Sequence, residues 1–205
     1  MLLDEALAQG ALGDLPGVQA AIDELILKGD GSPFLSMRHA ARELRAHGDS
    51  GAYRTVAERG MAYLQGRPAE EKSSLRYRRQ LHLAHYLLEE WEDAFRTAEG
   101  LVQSQPENPE FLGMLGRASA RTGRRDEALR IARQLESLEI PYDRGQSTYS
   151  RACIHALLGE KEEAVNLLVE AHEKGWSFTR YFHIDMDLEE LRGFPRFDEF
   201  ARPKG

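Results

Sequence analysis

Five points at which the chain can reverse recur along the sequence at nearly constant spacing. Placed at Gly13, Gly48, Glu89, Gly123 and Gly159, they are separated by steps of 35, 41, 34 and 36 residues. Five residues beyond each stand Val18, Tyr53, Ala94, Ala128 and Ala164, the last three being alanines in register. A period of about 34 constrains the fold more than any composition does. One helical hairpin cannot bury its own apolar face, so it gains a core only by stacking on the next copy. The period therefore predicts an all-α array of helix-turn-helix units.

The copy from Asn108 to Pro141 is the most complete. Leu112, Leu115, Gly116 and Ser119 stand at the spacing W-x2-L-G-x2-Y, and Ala128 with Ala132 at A-x3-F. In this spacing Gly116 lets the first helix approach its partner, Gly123 turns the chain, and Ala128 keeps the crossing close. On these residues the chain resembles the tetratricopeptide repeat family. The resemblance implies an all-α, right-handed superhelix of helix-turn-helix repeats with a short C-terminal helical cap. The helix pairs of one array over residues 1–205 fall at about 2–28, 33–65, 73–104, 109–138 and 146–174, with the cap at 176–205. The first pair divides into about Leu2 to Gly10 and Leu15 to Leu27, and Gly29, Asp30 and Gly31 break the pattern after it. The step of 41 marks an insertion closed by Gly66 and Pro68. His82 replaces the small residue of the third pair, and Ala152 supplies it in the fifth.

After Gly175 the period stops. An array needs ends that tolerate water, so the last segment is expected to fold over the apolar edge of the final helix, with Trp176, Phe178, Tyr181 and Phe182 as cover. This tail resembles the C-terminal tails of tetratricopeptide segments in bacterial multidomain signalling proteins, among them serine/threonine kinases and transcriptional or cyclase-type regulators. The residues that carry the likeness are Asp185, Asp187, Leu188, Leu191, Arg192, Pro195, Phe197, Arg202, Pro203, Lys204 and Gly205. It implies a bacterial regulatory or sensory assembly. It brings no catalysis, because no kinase, cyclase or DNA-binding segment is present to receive it.

A formal charge of -7 opposes generic binding to nucleic-acid phosphates or anionic lipid. No nucleic-acid or membrane partner is expected. The single Cys153 permits no internal disulfide, Asp4 and Glu5 stand where an export signal carries lysine or arginine, and no run approaches the ~18 apolar residues of a membrane span. A cytoplasmic location follows as an expectation.

In arrays of this kind the first helix of each pair lines the concave surface. The residues at helical spacing on that face are Leu35, Arg38, Arg42 and Arg45 in the second pair, and Arg76, Arg79, Leu83 and Tyr86 in the third. In the fourth they are Glu110, Met114, Arg117 and Arg121. Guanidinium groups match carboxylate or phosphate in forked geometry, so the expected function is a non-catalytic scaffold whose groove takes a protein segment of acidic character, as an acidic peptide, a chain terminus or a phosphorylated segment. Tyr86, Met114 and Leu83 are expected to add apolar contact. The competing account ties these arginines to nearby carboxylates such as Glu43 and Glu110, which leaves a structural spacer or homodimerisation module of a larger bacterial signalling protein. The lysine and asparagine set of the carboxylate-clamp repeats is missing.

No catalytic residue, cofactor or metal is expected. His82 and His85 lie three apart on one helix but lack a third ligand, with no H-E-x-x-H or paired cysteines. His183 beside Asp185 and Asp187 reads as an acid-rich helix start. Cys153 reads as a small packing residue, and the chain holds no G-x-S-x-G, P-loop or G-x-G-x-x-G string.

Overall fold

The computed structural model describes residues 8–28, 32–138, 140–176 and 182–202. Among these the architecture is all-α and built of helix-turn-helix repeats, as the tetratricopeptide resemblance implies. A helical segment at 8–11 precedes α1 (Leu15–Lys28), α2 (Pro33–Ala46), α3 (Ser50–Gln65), α4 (Ala69–Lys72), α5 (Leu75–Leu87) and α6 (Trp91–Ser104). Then come α7 (Pro109–Arg121), α8 (Arg125–Ser137), α9 (Gln146–Leu157), α10 (Lys161–Glu173), a 3-10 turn (Glu189–Leu191) and α11 (Pro195–Ala201). The short α4 is the insertion anticipated by the step of 41. Residues 1–7, Gly29, Asp30, Gly31, Phe178, Tyr181, Pro203, Lys204 and Gly205 lie outside the described residues, and with them the start of the first helix and part of the expected cover.

All five expected reversal points carry a left-handed backbone, with φ of 71° at Gly13, 85° at Gly48, 61° at Glu89, 75° at Gly123 and 77° at Gly159. Four are glycine, which adopts this conformation without steric cost; Glu89 is the exception, and its carboxylate is ion-paired with Arg45. The residues five beyond each turn all face inward: Val18, Ala94, Ala128 and Ala164 are 0% exposed and Tyr53 is 7%. Helix starts are set locally. The Asp49 carboxylate accepts from the Ala52 N–H at 2.8 Å, the Ser74 hydroxyl from Tyr77 at 3.1 Å, and Asn108 from Glu110 and Phe111 at 3.0 and 3.3 Å.

The chain divides into two compact units, Met1–Ala94 and Phe95–Gly205, with the division inside α6. In the first, Val18, Ile22, Met37, Leu44 and Val56 form the core, and a second cluster gathers around Phe34, Met61, Leu64 and Ala84. The Tyr53 hydroxyl donates to the Leu87 carbonyl. His82 fills the position that the motif gives to a small residue. It is 1% exposed, and its Nδ1 lies 2.9 Å from the Ala94 carbonyl, so a polar contact replaces close approach at this crossing.

In the second unit α7 is covered from two sides. A Cβ on Gly116 would sit 2.4 Å from Ile154 Cδ1 and 3.1 Å from Ile131 Cγ2, and one on Gly113 would sit 2.7 Å from Ser150 Oγ. Glycine is therefore what lets α8 and α9 both press on the same helix. The last cluster joins Tyr149, Cys153, Ala164 and Leu168 to Leu188, Leu191 and Phe197 from the tail. Trp176 stacks on Tyr149 with centroids 4.8 Å apart, and Phe182 stacks on Phe197 at 5.7 Å. The tail thus covers the final hairpin through Trp176 and Phe182 as expected.

Candidate functional site

The arginine stripe is built by helical spacing on the first helix of each pair, and the two units use it differently. In the second unit Arg117 and Arg121, one turn apart on α7, converge on one carboxylate. Arg117 Nη1 lies 3.5 Å from Asp187 Oδ2 and Arg121 Nη2 lies 3.3 Å from Oδ1. Arg121 also donates to the Met186 carbonyl at 2.8 Å, and Arg117 Nε to the Gly113 carbonyl at 3.0 Å. Asp187 is 1% exposed, so its charge is out of water and held by two guanidinium groups. Beside it, Asp185 accepts from the Tyr149 hydroxyl at 2.9 Å and from the Asp187 N–H at 3.1 Å. Burial pushes the Cys153 thiol well above its ordinary range, and the nearby Asp185 and Asp187 add to the effect. The acid pair thus holds the tail in place, and His183 nearby is exposed.

These contacts correct the expected groove at several points. Arg117 and Arg121 are engaged by a carboxylate of their own chain. Met114 is 1% exposed, so it lies inside the fold and not on an open face. Tyr86, at 8%, packs edge-on against Trp91 at 5.0 Å and tilted on His82 at 5.7 Å. Arg42 and the adjacent Glu43 are 6% and 5% exposed, since α2 packs on α1, α3 and α5. Arg45 pairs with Glu89, and its guanidinium lies 5.1 Å from the Tyr53 ring centre.

Arg38 and Arg79 are half-buried, whereas Arg76 is exposed at a surface cavity. That cavity, about 340 Å³, is lined by Ile26, Ser32, Tyr63, Arg67, Glu71, Tyr77 and Gln80 together with Arg76. Within it Arg67 makes a forked bond to Glu71, with Nε at 3.0 Å and Nη2 at 2.8 Å, and lies 5.5 Å from the Tyr63 ring centre. The Glu71 hydrogen bond, followed by Tyr63, raises the Arg67 pKa further above its ordinary value. The site therefore offers one locked and one exposed guanidinium, two phenol rings and an amide.

Sequence reasoning missed one constellation. His85 at the end of α5, Glu90 before α6 and Asp93 in its first turn bring one donor atom each to within 4.8 Å of one another. The signal was available as the spacing from His85 to Glu90, repeated from His155 to Glu160 at the corresponding turn of the fifth pair.

Among the described residues no helix is long and apolar enough to cross a membrane. No curated protein matches the chain. Among solved structures it is similar to one titled MamA AMB-1, with 17% identity and a TM-score of 0.38 over 86% of this chain and 92% of that one. A family model described as the bacterial transcriptional activator domain matches residues 30–140, more than half of the 205 residues. The chain belongs to that family.

Proposed function

We propose that this member of the bacterial transcriptional activator domain family is a non-catalytic protein-binding module of a cytoplasmic regulatory assembly. Its first unit takes an acidic, apolar-flanked partner segment at the cavity beside Arg76, with Arg79 and Arg38 on the same arginine-bearing helices. One observation carries the reading: in the second unit the same stripe already grips such a segment, since Arg117 and Arg121 hold Asp187 between the buried Met186 and Leu188. The stripe selects a carboxylate in an apolar strand of chain, and a partner offering the same chemistry suits the exposed guanidinium of the first unit.

The test is fluorescence anisotropy with a labelled peptide copying residues 182–192, beside a version with asparagine for both aspartates. The acidic peptide is expected to bind, to weaken as salt rises, and to lose most of its affinity with Arg76→Glu. Equal binding of the two peptides rejects the charge-based reading. Binding that survives Arg76→Glu but falls with Arg121→Glu places the site in the second unit and rejects the location.

A second reading, homodimerisation, is favoured by the apolar side chains of Leu27, Ile26 and Leu12, which are 86%, 40% and 80% exposed. Sedimentation at twice the 23.2 kDa chain mass, reverting to one mass with Leu27→Glu, establishes it. Trp176 and Phe197 pack inside the second unit and lie outside this apolar group.

A further inference from the structure

We infer that His85, Glu90 and Asp93 form a binding site for a divalent transition metal of the zinc type, clipping the end of α5 to the start of α6. The three residues come from one tight turn, and their donor atoms lie within 4.8 Å of one another. Tetrahedral zinc with bonds of about 2.1 Å holds its donors roughly 3.4 Å apart, a spacing reached here by small side-chain rotations. In the present arrangement His85 Nδ1 lies 2.6 Å from Glu90 Oε2, a hydrogen bond that an ion would replace as the two atoms separate to its donor spacing. One imidazole and two carboxylates neutralise a dication, leaving a fourth position for water.

The backbone prepares this arrangement. Glu89 takes a left-handed conformation without being glycine, and its pairing with Arg45 anchors the turn. The Glu90 N–H donates to the His85 carbonyl at 2.9 Å, and the Glu90 carbonyl accepts from Ala94 at 2.9 Å. The backbone at both ends of the donor set is therefore held before any ion arrives, and only the side chains have to turn.

The fifth pair supplies an internal control. His155, Glu160 and Glu163 repeat the spacing of His85, Glu90 and Asp93. There too the imidazole meets the first carboxylate, at 2.5 Å. The other Glu160 oxygen, however, accepts from Arg125, and Glu163 is exposed and does not join the group. An arginine there supplies positive charge beside Glu160 and Glu163 stays outside the group, so among the described residues the three-donor cluster forms at the first of the two turns.

The full chain, freed of any affinity tag, is titrated with zinc(II) by calorimetry and then with cobalt(II), whose visible bands report low-coordinate geometry. The expected result is one saturable equivalent and a raised Tm in zinc. His85→Gln and Asp93→Asn, checked for unchanged helicity, weaken binding by more than about tenfold, while His155→Gln leaves it alone. The inference is overturned by an absence of saturable binding in the unaltered chain. It is equally overturned by binding that persists in both first-unit variants, or that disappears with His155→Gln.

Discussion

Two arginine-bearing faces of this molecule arise from the same repeat and end in different states. On α7 of the second unit, Arg117 and Arg121 close on Asp187, which lies 70 and 66 residues further along the chain. On α5 of the first unit, Arg76 is exposed at a cavity of about 340 Å³. Helical spacing explains why both faces carry guanidinium groups. It does not say which acid each will meet, because that depends on where a segment without the repeat returns. A guanidinium stripe therefore predicts an appetite for carboxylate, and the tail decides whether the chain satisfies it internally.

The sharpest way to break the comparison is to remove the internal acid. Asp187→Ala leaves two partly buried cations without their shared partner and is expected to cost about 3 kcal/mol, measured by urea unfolding. A near-silent result would mean that the second unit does not depend on its clamp. Next in size is the crossing that supports the clamp. Ala128 is 0% exposed, so Ala128→Leu overpacks α8 against its neighbours by about 1–3 kcal/mol, whereas the same residue at the exposed Arg133 changes little.

Cys153 beneath the acid pair gives a pH signature found only in the second unit. Its thiol pKa is raised in the fold by burial first and by Asp185 and Asp187 second. Above the ordinary thiol range, about pH 8.5, the unfolded chain loses a proton that the folded chain keeps. Unfolding free energy then falls with pH by up to about 1.4 kcal/mol per unit. The contribution is intact below that range and is lost as pH climbs towards the folded value. Cys153→Ala is expected to flatten the slope, and the native thiol to resist alkylation. The smallest effect belongs to the first unit: Arg76→Ala changes stability by no more than about 0.5 kcal/mol, which a calorimetric Tm will show. A large loss there would make Arg76 structural and erase the contrast.

The fold was legible because its determinants are local. The five turn residues and the five residues beyond them could be named by counting, and each has the expected backbone or burial. Helix starts at Pro33 and Pro109 likewise follow from residues at the start itself. The candidate site was less legible. Met114 looked outward on a helix considered with one partner, yet it is 1% exposed, and α7 meets α9 as well as α8 at Gly113 and Gly116. Arg117 and Arg121 looked available because their acid comes from outside the repeat. The cluster at His85 went unseen because its carboxylates lie across a turn, where an α-helical count does not apply, and Glu89 turns the chain there in place of glycine.

The long return of the tail has a bearing on biosynthesis. Hairpins joined by short turns can form soon after each emerges from the ribosome, since their contacts are within the hairpin or with the next one along the chain. Arg117 and Arg121 are translated well before Asp187, so the fourth hairpin emerges with its two cations hydrated and waits for a residue not yet added. The second unit is consequently finished late, and a fragment stopping at residue 140, where the family match ends, carries the guanidinium groups without the acid that quiets them.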